Sequence, residues 1–407
     1  MSRKGEIIVG LDIGTTKIVA LVGEVKEDGQ IELIGMGSHP SKGLQKGVIT
    51  EIEATVEAIR KAVMEAELMA GVQISSVYVG IAGHHLRGFN SHGIVAVKGK
   101  EITRQDMERV CEQAKAVAIP MDRQVLHTIP QEYIVDSQDG IKIPIGMSGI
   151  RLEAKVHIVT AAISSVQNII RCCNKAGLSV ADIVLEPLAS AMAVLTDDER
   201  ELGVALVDIG GGTSDLIIHL KGSVAHTSVL PLGGEFITHD IAVGLSTPMI
   251  SAEKIKCDFG SAMACLIEKG ETIEVPKVGS GEPRHISRQM LCDIIEARVE
   301  EIITLIHKEI HMTGLEELLG AGVVLTGGAV NLSGAAQVAE ELMDLPVRTA
   351  TPSGVSGLVD LIRNPKYATV VGILQYASQH SPAYIDNQRP LMKRVFDRVK
   401  VFFSDFV

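Results

Sequence analysis

Two aspartates stand at matching places before two glycine-rich turns, and the pairing points to phosphate chemistry. Asp12 leads through Ile13 into Gly14-Thr15-Thr16-Lys17. Asp208 leads through Ile209 into Gly210-Gly211-Gly212-Thr213, with Asp215 two residues beyond. A glycine turn between strands lets backbone N–H groups converge on an anion, because no Cβ blocks the approach. The first turn adds two hydroxyls and a cation, and both aspartates are placed to hold Mg²⁺ directly or through water. A third loop, Thr326-Gly327-Gly328-Ala329, leads towards a helix whose N-terminus suits a polar ligand edge. Any one of these loops is equally well explained as a plain turn. All three, in the order DxGTT, DxGGGT, TGGA, suit one nucleotide with two phosphate clamps and a base-side glycine pair. Neither GxxxxGK[ST] nor GxGxxG occurs, so this is not a P-loop or a dinucleotide fingerprint.

The elements around these turns read as α/β. Apolar β-branched runs predict strands at Ile7–Leu11, Ile18–Val22, Ile31–Gly35 and Val77–Ala82. Ile52, Val56, Ile59, Val63 and Ala66 share one face of a helix over about 51–70. From about 84 to 162 the texture changes. Short strands are expected at Ile94–Val97, Val125–Ile129 and Tyr133–Val135, then a strand from Ile150 to Val159. Thr103 and Asp106 open a lone helix to about Ala118. This reads as a small α+β insert. Helix 162–177, strand 182–187 and helix 188–195 then precede VALVDIGGGTSDLII, which repeats the pattern of IVGLDIGTTKIVALV. Asp12 and Asp208 lie 196 residues apart (208 − 12), so the repeat is a duplication at domain scale, and two facing halves imply a cleft. Helices dominate 235–320 apart from an irregular interval at about 270–284. Val323–Thr326 reads as a strand, and Leu358–Leu361 and Ala368–Ala377 as the last structured pieces. Ile250, Ile255 and Phe259 mark the inward face of one amphipathic reading of SAEKIKCDFG.

Composition narrows the class. The 407 residues are 46% hydrophobic and 22% charged, which excludes general disorder, and a net charge of −12 argues against nucleic acid as the main partner. The N-terminus shows no export signal, no run approaches transmembrane length, and the six cysteines have no metal spacing, so a reduced cytosolic setting is expected.

The end of the chain is different. Four of the seven Phe are Phe396, Phe402, Phe403 and Phe406, and Arg389, Lys393, Arg394, Arg398 and Lys400 outnumber Asp397 and Asp405. Met392, Val395, Phe396, Val399, Phe402, Phe403 and Phe406 recur at helical spacing, with Lys393, Arg394, Arg398 and Lys400 mostly opposite. The pattern predicts a linker at 378–390 and an interfacial helix at 391–407, too short and too charged to span a bilayer. A helix docked on a protein groove is the alternative.

With these motifs in place, the sequence resembles the actin/Hsp70/sugar-kinase superfamily of ATP-binding folds. DIGTTK resembles phosphate-1, DIGGGTSD phosphate-2 and LTGGA the adenosine motif. LEPLASAMAVL and KYATVVGILQYA are similar to the two connecting helices. SAEKIKCDFG is similar to the adenine-side helix of bacterial actins, which implies Glu253 and Lys256 near base or ribose. Within the superfamily the match is closest to the FtsA family of bacterial cell division, on VYVGIAGHH, VLHTIPQEYIVD, PIGMSGIRLEAKVHIVT and the tail. The resemblance implies an actin-like fold of two duplicated α/β halves around a nucleotide cleft, with an inserted α+β subdomain and a C-terminal amphipathic helix. Its subdomains would be 1A at 1–83 (with 163–195 and 358–377), 1C at 84–162, 2A at 196–230 (with 306–357) and 2B at 231–305. It implies ATP and Mg²⁺ as cofactors and a polymer on the cytoplasmic face of the inner membrane at the septum. The partners implied are the FtsZ C-terminal peptide, through 231–305 with Arg298 and Glu301 as candidates, and later division proteins through 84–162. Ala297 departs from the family's usual Pro beside those candidates. Asp208 or Asp215 could orient a nucleophile, whereas Gln131 and Glu132 belong to the insert, and His84 and His85 read as loop or core residues. ATP binding with weak or no hydrolysis is therefore expected. A pilus-assembly adaptor without such a tail, or a soluble phosphotransferase, would be the alternatives. An Hsp70-type chaperone would need a further domain after residue 388.

Overall fold

The computed structural model describes residues 5–279 and 282–380. The first lobe is built from β1 (Glu6–Ile13), β2 (Lys17–Val25), β3 (Ile31–Pro40), the two-residue strands β4 (Leu44–Gln45) and β5 (Val48–Ile49), α1 (Ile52–Ala70) and β6 (Ser76–Ile81). An insert comes next: β7 (Arg87–Ala96), α2 (Arg104–Ala114), β8 (Arg123–Val135), β9 (Gln138–Ile141) and β10 (Arg151–Ala162). The lobe closes with α3 (Ile163–Ala176), β11 (Ser179–Leu185), α4 (Glu186–Val194) and α5 (Asp197–Leu202). The second lobe has β12 (Val204–Ile209), β13 (Ser214–Leu220), β14 (Ser223–Leu230), α6 (Gly234–Gly244), α7 (Met249–Phe259), β15 (Thr272–Val275), β16 (Arg284–Ser287), α8 (Arg288–Met312), β17 (Val323–Thr326), α9 (Ala335–Met343) and β18 (Val347–Thr349). The short β19 (Ser356–Gly357) and α10 (Ala368–His380) return to the first lobe.

The duplication read in the sequence is a duplication of topology. The first sheet runs β11-β6-β1-β2-β3-β19 and the second β18-β17-β12-β13-β14, each an antiparallel meander joined through its first strand to parallel neighbours. The first strand of each is buried on both faces, as central strands of covered sheets are. In β12, Ala205, Val207 and Ile209 face the second lobe's own core, while Val204 and Leu206 face a core shared with the first lobe. Period two therefore turns Asp208 to the shared side, and Ile8 places Asp12 on the corresponding side of β1. The helices α4 and α10 fill that shared side. They cross so closely that a Cβ on Gly372 would stand 1.8 Å from the Ala189 carbonyl oxygen.

Several expectations are corrected. Three of the insert's strands are long, with 10, 13 and 12 residues in β7, β8 and β10, and the runs at 125–129 and 133–135 are one strand. Pro130 hid its continuity. A bulge at Gln131 absorbs the irregularity, for Lys155 pairs with Glu132 and Val156 with Pro130. The capping box at Thr103 and Asp106 is present, but α2 ends at Ala114. The interval 270–284 leads into the hairpin β15–β16, and 359–362 is a 3-10 turn. Ser378–His380, assigned to the linker, complete α10. The remaining linker and the helix at 391–407 lie outside the described residues. All six cysteines are free, and no described helix is long and apolar enough to cross a membrane.

The crossing of α4 and α10 yields a direct test. Gly372→Ala should cost about 1–3 kcal/mol through overpacking, read as a lower Tm in calorimetry of the full chain.

Candidate functional site

The β1–β2 and β12–β13 turns are built alike. Gly14 N–H donates to the Lys17 carbonyl at 3.0 Å, and Gly210 N–H to the Thr213 carbonyl at 2.9 Å. The turns face each other across the lobes. A Cβ on Gly211 would lie 2.2 Å from Thr16 Cγ2, and one on Gly212 2.6 Å from Thr15 Oγ1. At this contact glycine is required by space. The second turn is also fastened from behind, since the N–H groups of Gly234 and Glu235 donate to the carbonyls of Gly210 and Gly211, both at 2.9 Å. Carbonyl and amide hydrogen of a trans peptide point opposite ways, so the N–H groups of Gly211 and Gly212 are turned away from α6.

The third loop closes on the same place. Gly327 has φ +95°, and a Cβ there would meet Asp208 Oδ1 at 2.4 Å. The loop runs into the 3-10 turn Ala329–Asn331, not into the expected helix. The next α-helix begins at Ala335.

Between the three loops and α7 lies a cavity of about 350 Å³, within the range of small-molecule sites. Of the sequence-derived residues, Thr16, Lys17, Gly210, Gly211, Glu253, Lys256, Gly328 and Ala329 line it. Asp12, Asp208 and Asp215 are buried behind it. On α7 the inward face is Ala252, Ile255 and Lys256, which corrects the amphipathic reading: Ile250 and Phe259 are exposed. Lys256 is drawn inward because Nζ donates to the Gly234 carbonyl at 3.0 Å and the Thr238 hydroxyl at 2.8 Å, and pairs with Glu253 at 2.7 Å. Gly234, Asn331, Asn364 and Lys366 complete the wall. Leu232-Gly233-Gly234-Glu235 carried the one local signal for these, a further glycine pair.

The carboxylates form a crowded group. Asp208 Oδ2 accepts from Ser190 of α4 at 2.7 Å and Thr369 of α10 at 3.0 Å. Lys17 Nζ stands 3.5 Å from Asp12. Asp215 accepts from the Thr213 hydroxyl at 3.1 Å, and its other oxygen has no partner among the described residues. Burial raises Asp12 and Asp208 above the usual carboxylate range. Burial, then the Asp208 charge, raises Asp215 well above it. Glu186, the first residue of α4, was missed. Desolvation, followed by the charges of Asp12, Asp215 and Asp208, pushes it well above the ordinary range. Its signal was an acid between Leu185 and Pro187 at a strand end.

This donor set suits a divalent cation, being rich in carboxylate and including an unpartnered oxygen on Asp215. Among the described residues no three His, Cys, Asp or Glu side chains are grouped to chelate one. Mg²⁺ in general binds through one or two carboxylates, water and substrate phosphates.

The remaining candidates lie elsewhere. Gln131 donates to the Val224 carbonyl of β14 at 2.8 Å, and Glu132 pairs with Lys155 inside the insert at 2.6 Å, so neither faces the cleft cavity. Arg298 on α8 is engaged by Asp240 and by Glu301. His85 is buried and His84 is exposed.

Comparison with known proteins agrees with this architecture. A family model described as cell division protein FtsA matches residues 205–372, and one described as the SHS2 domain inserted in FtsA matches 83–160. The chain is similar to the cell division protein FtsA of Pseudomonas aeruginosa, 53% identical over 93% of this chain and 90% of that one. The FtsA of Escherichia coli K12 is 42% identical over 96% and 94%. Among solved structures, the PilM–PilN type IV pilus biogenesis complex aligns with TM-score 0.66 at 16% identity, covering 91% of this chain and 98% of that one. MreB 5 of Spiroplasma citri bound to AMPPNP aligns with TM-score 0.53 at 15% identity, covering 94% and 99%. These two likenesses show the actin-like fold.

The carboxylate crowding has a measurable consequence. An unfolded Glu releases its proton above about 4.5 while Glu186 in the folded chain keeps it, so the native state binds more protons and loses stability as pH rises past that point. In nucleotide-free, Mg²⁺-free protein, Glu186→Gln should therefore raise Tm by a margin that is small near pH 4.5 and widens towards pH 8, at about 2–4 °C per kcal/mol. A margin that does not change with pH would contradict this.

Proposed function

The chain belongs to the FtsA family of cell-division proteins, and on that premise we propose that it is an ATP-binding, polymer-forming adaptor that ties the FtsZ ring to the inner membrane. The observation that carries the nucleotide part is the convergence of three glycine loops on one cavity between the lobes. The β1–β2 and β12–β13 turns offer N–H groups, Thr15, Thr16, Thr213 and Lys17 to the phosphates. Glu253 and Lys256 stand on the base and ribose side, with Gly327, Gly328 and Ala329 opposite. Asp12 and Asp208 would hold Mg²⁺, through water where Asp208 is already engaged by two hydroxyls. The ion would supply charge neutralisation to the polyphosphate there. Slow turnover is expected from the site's own groups. Asp208 accepts two hydrogen bonds on one oxygen, and Glu186 and Asp215 are driven to keep their protons, so none of these three is a ready base. A similar fold, MreB 5, has been solved with AMPPNP bound.

The membrane part rests on the periodicity of 391–407. Seven partly buried apolar side chains give roughly 5–10 kcal/mol gross, and each basic residue near anionic lipid adds about 1 kcal/mol. Ordering costs leave a weak, reversible anchor. A polymer multiplies it, because each further tail acts at high effective concentration. The FtsZ C-terminal peptide is assigned to 231–305, where Arg298 and Glu301 lie, and later division proteins and the neighbouring subunit to 84–162. The pilus-assembly alternative rests on fold likeness at 16% identity, and a soluble phosphotransferase gives the tail no role.

Two measurements test the reading. Gly211→Val, whose side chain would collide with Thr16, should weaken binding of a fluorescent ATP analogue by tenfold or more, and unchanged affinity would remove the nucleotide assignment. Phe402→Asp with Phe403→Asp should abolish co-sedimentation with anionic liposomes while leaving ATP affinity intact; retained pelleting would remove the membrane assignment.

A further inference from the structure

Behind the two glycine turns lies a second, small chamber of about 30 Å³. One water needs roughly 10–15 Å³ on this measure, so the chamber has room for about two. Gly14 and Thr15 of the first turn, Thr213 of the second, Glu186 and His85 are in its wall. Its roof is the β4–β5 hairpin, where Gly47 N–H donates to Thr15 Oγ1 at 3.2 Å. His85 is only 9% exposed, and neither of its ring nitrogens has a hydrogen-bond partner among the described residues. Buried polar groups are otherwise almost always bonded, to protein or to ordered water. Its ring is also set in place. A Cβ on Gly83, whose φ is +129°, would lie 2.9 Å from His85 Cε1 and Nδ1.

We infer that His85 holds the water that attacks the terminal phosphate of the bound nucleotide, keeping it in this chamber between the imidazole and the Glu186 carboxyl. The inference rests on the nucleotide reading of the cleft. The chamber shares Gly14, Thr15 and Thr213 with the phosphate turns, so its water lies on the inner side of the phosphate position. The imidazole accepts a hydrogen bond from the water and aims an oxygen lone pair towards phosphorus. That oxygen forms the new P–O bond. The bond from the γ-phosphorus to the β–γ bridging oxygen breaks, its electron pair staying on the diphosphate, and the water's proton leaves with the released phosphate. His85 changes no charge in this step and is a positioning residue. Burial holds it at about 4, so the ring is neutral and keeps an acceptor nitrogen at physiological pH.

The test is single-turnover hydrolysis of labelled ATP with Mg²⁺ by excess full-length chain, beside equilibrium binding of a non-hydrolysable analogue and thermal unfolding. His85→Leu should slow hydrolysis by about three- to tenfold, the value of one hydrogen bond, with analogue affinity within twofold of native and Tm not lowered. His85→Gln, which restores a polar group in the chamber, should recover most of the rate. Should the Leu variant fold poorly, His85→Phe provides the same comparison. The inference is overturned if the apolar variant hydrolyses at the native rate, if Gln is as slow as Leu, or if the native chain binds ATP without hydrolysing it. Failure of the native chain to bind ATP would overturn the cleft reading itself, and this inference with it.

Discussion

The cleft depends on how closely backbones can approach when no side chain stands between them. At the front, Gly211 and Gly212 lie against Thr16 and Thr15. At the back, Gly372 lies against the carbonyl of Ala189 where α10 crosses α4. Between these contacts Asp208 accepts from Ser190 and Thr369, one hydroxyl from each crossing helix. A strand end, two helices and two turns are thereby held within a few ångströms. Any change in the angle between the lobes must pass through these contacts, so the phosphate turns and the connecting helices are expected to move together.

The same closeness produces the electrostatics. Four carboxyl groups, on Asp12, Asp208, Asp215 and Glu186, share a region where Lys17 is the neighbouring cation, and burial raises all four above their ordinary range. Such a group is poorly satisfied by the chain alone. A divalent cation would offset this charge, which is the physical sense in which the site suits a ligand.

The insert is tied to both lobes. It grows from the first, yet Asn90 and Gln131 donate to the carbonyls of Ala225 and Val224 on β14, and His157 Nε2 meets the Thr227 hydroxyl at 2.8 Å. Gln131 reaches across because the bulge in β8 re-aims it. A surface that receives partners would thus be coupled to the second lobe through polar contacts, which break more cheaply than packed apolar ones once water can replace them.

Local chemistry is what the sequence by itself determined. The DxG turns, the capping box at Thr103, the apolar strand before Asp12 and the duplicated halves were legible because each depends on neighbours in the chain. Glu253 and Lys256 were placed through resemblance, while the plain pattern chose the wrong face of α7. Only tertiary contact could turn Lys256 inward, since its partners Gly234 and Thr238 belong to another helix. For the same reason Glu186 carried no legible role and His85 read as an ordinary loop or core residue. Their character comes from charges and cavities assembled from the ends of β1, β6, α4 and β13, which are separated along the chain; His85 and Glu186 alone lie 101 residues apart (186 − 85). Spacing records which groups can be neighbours along an element; desolvation and void space exist only once the elements have packed.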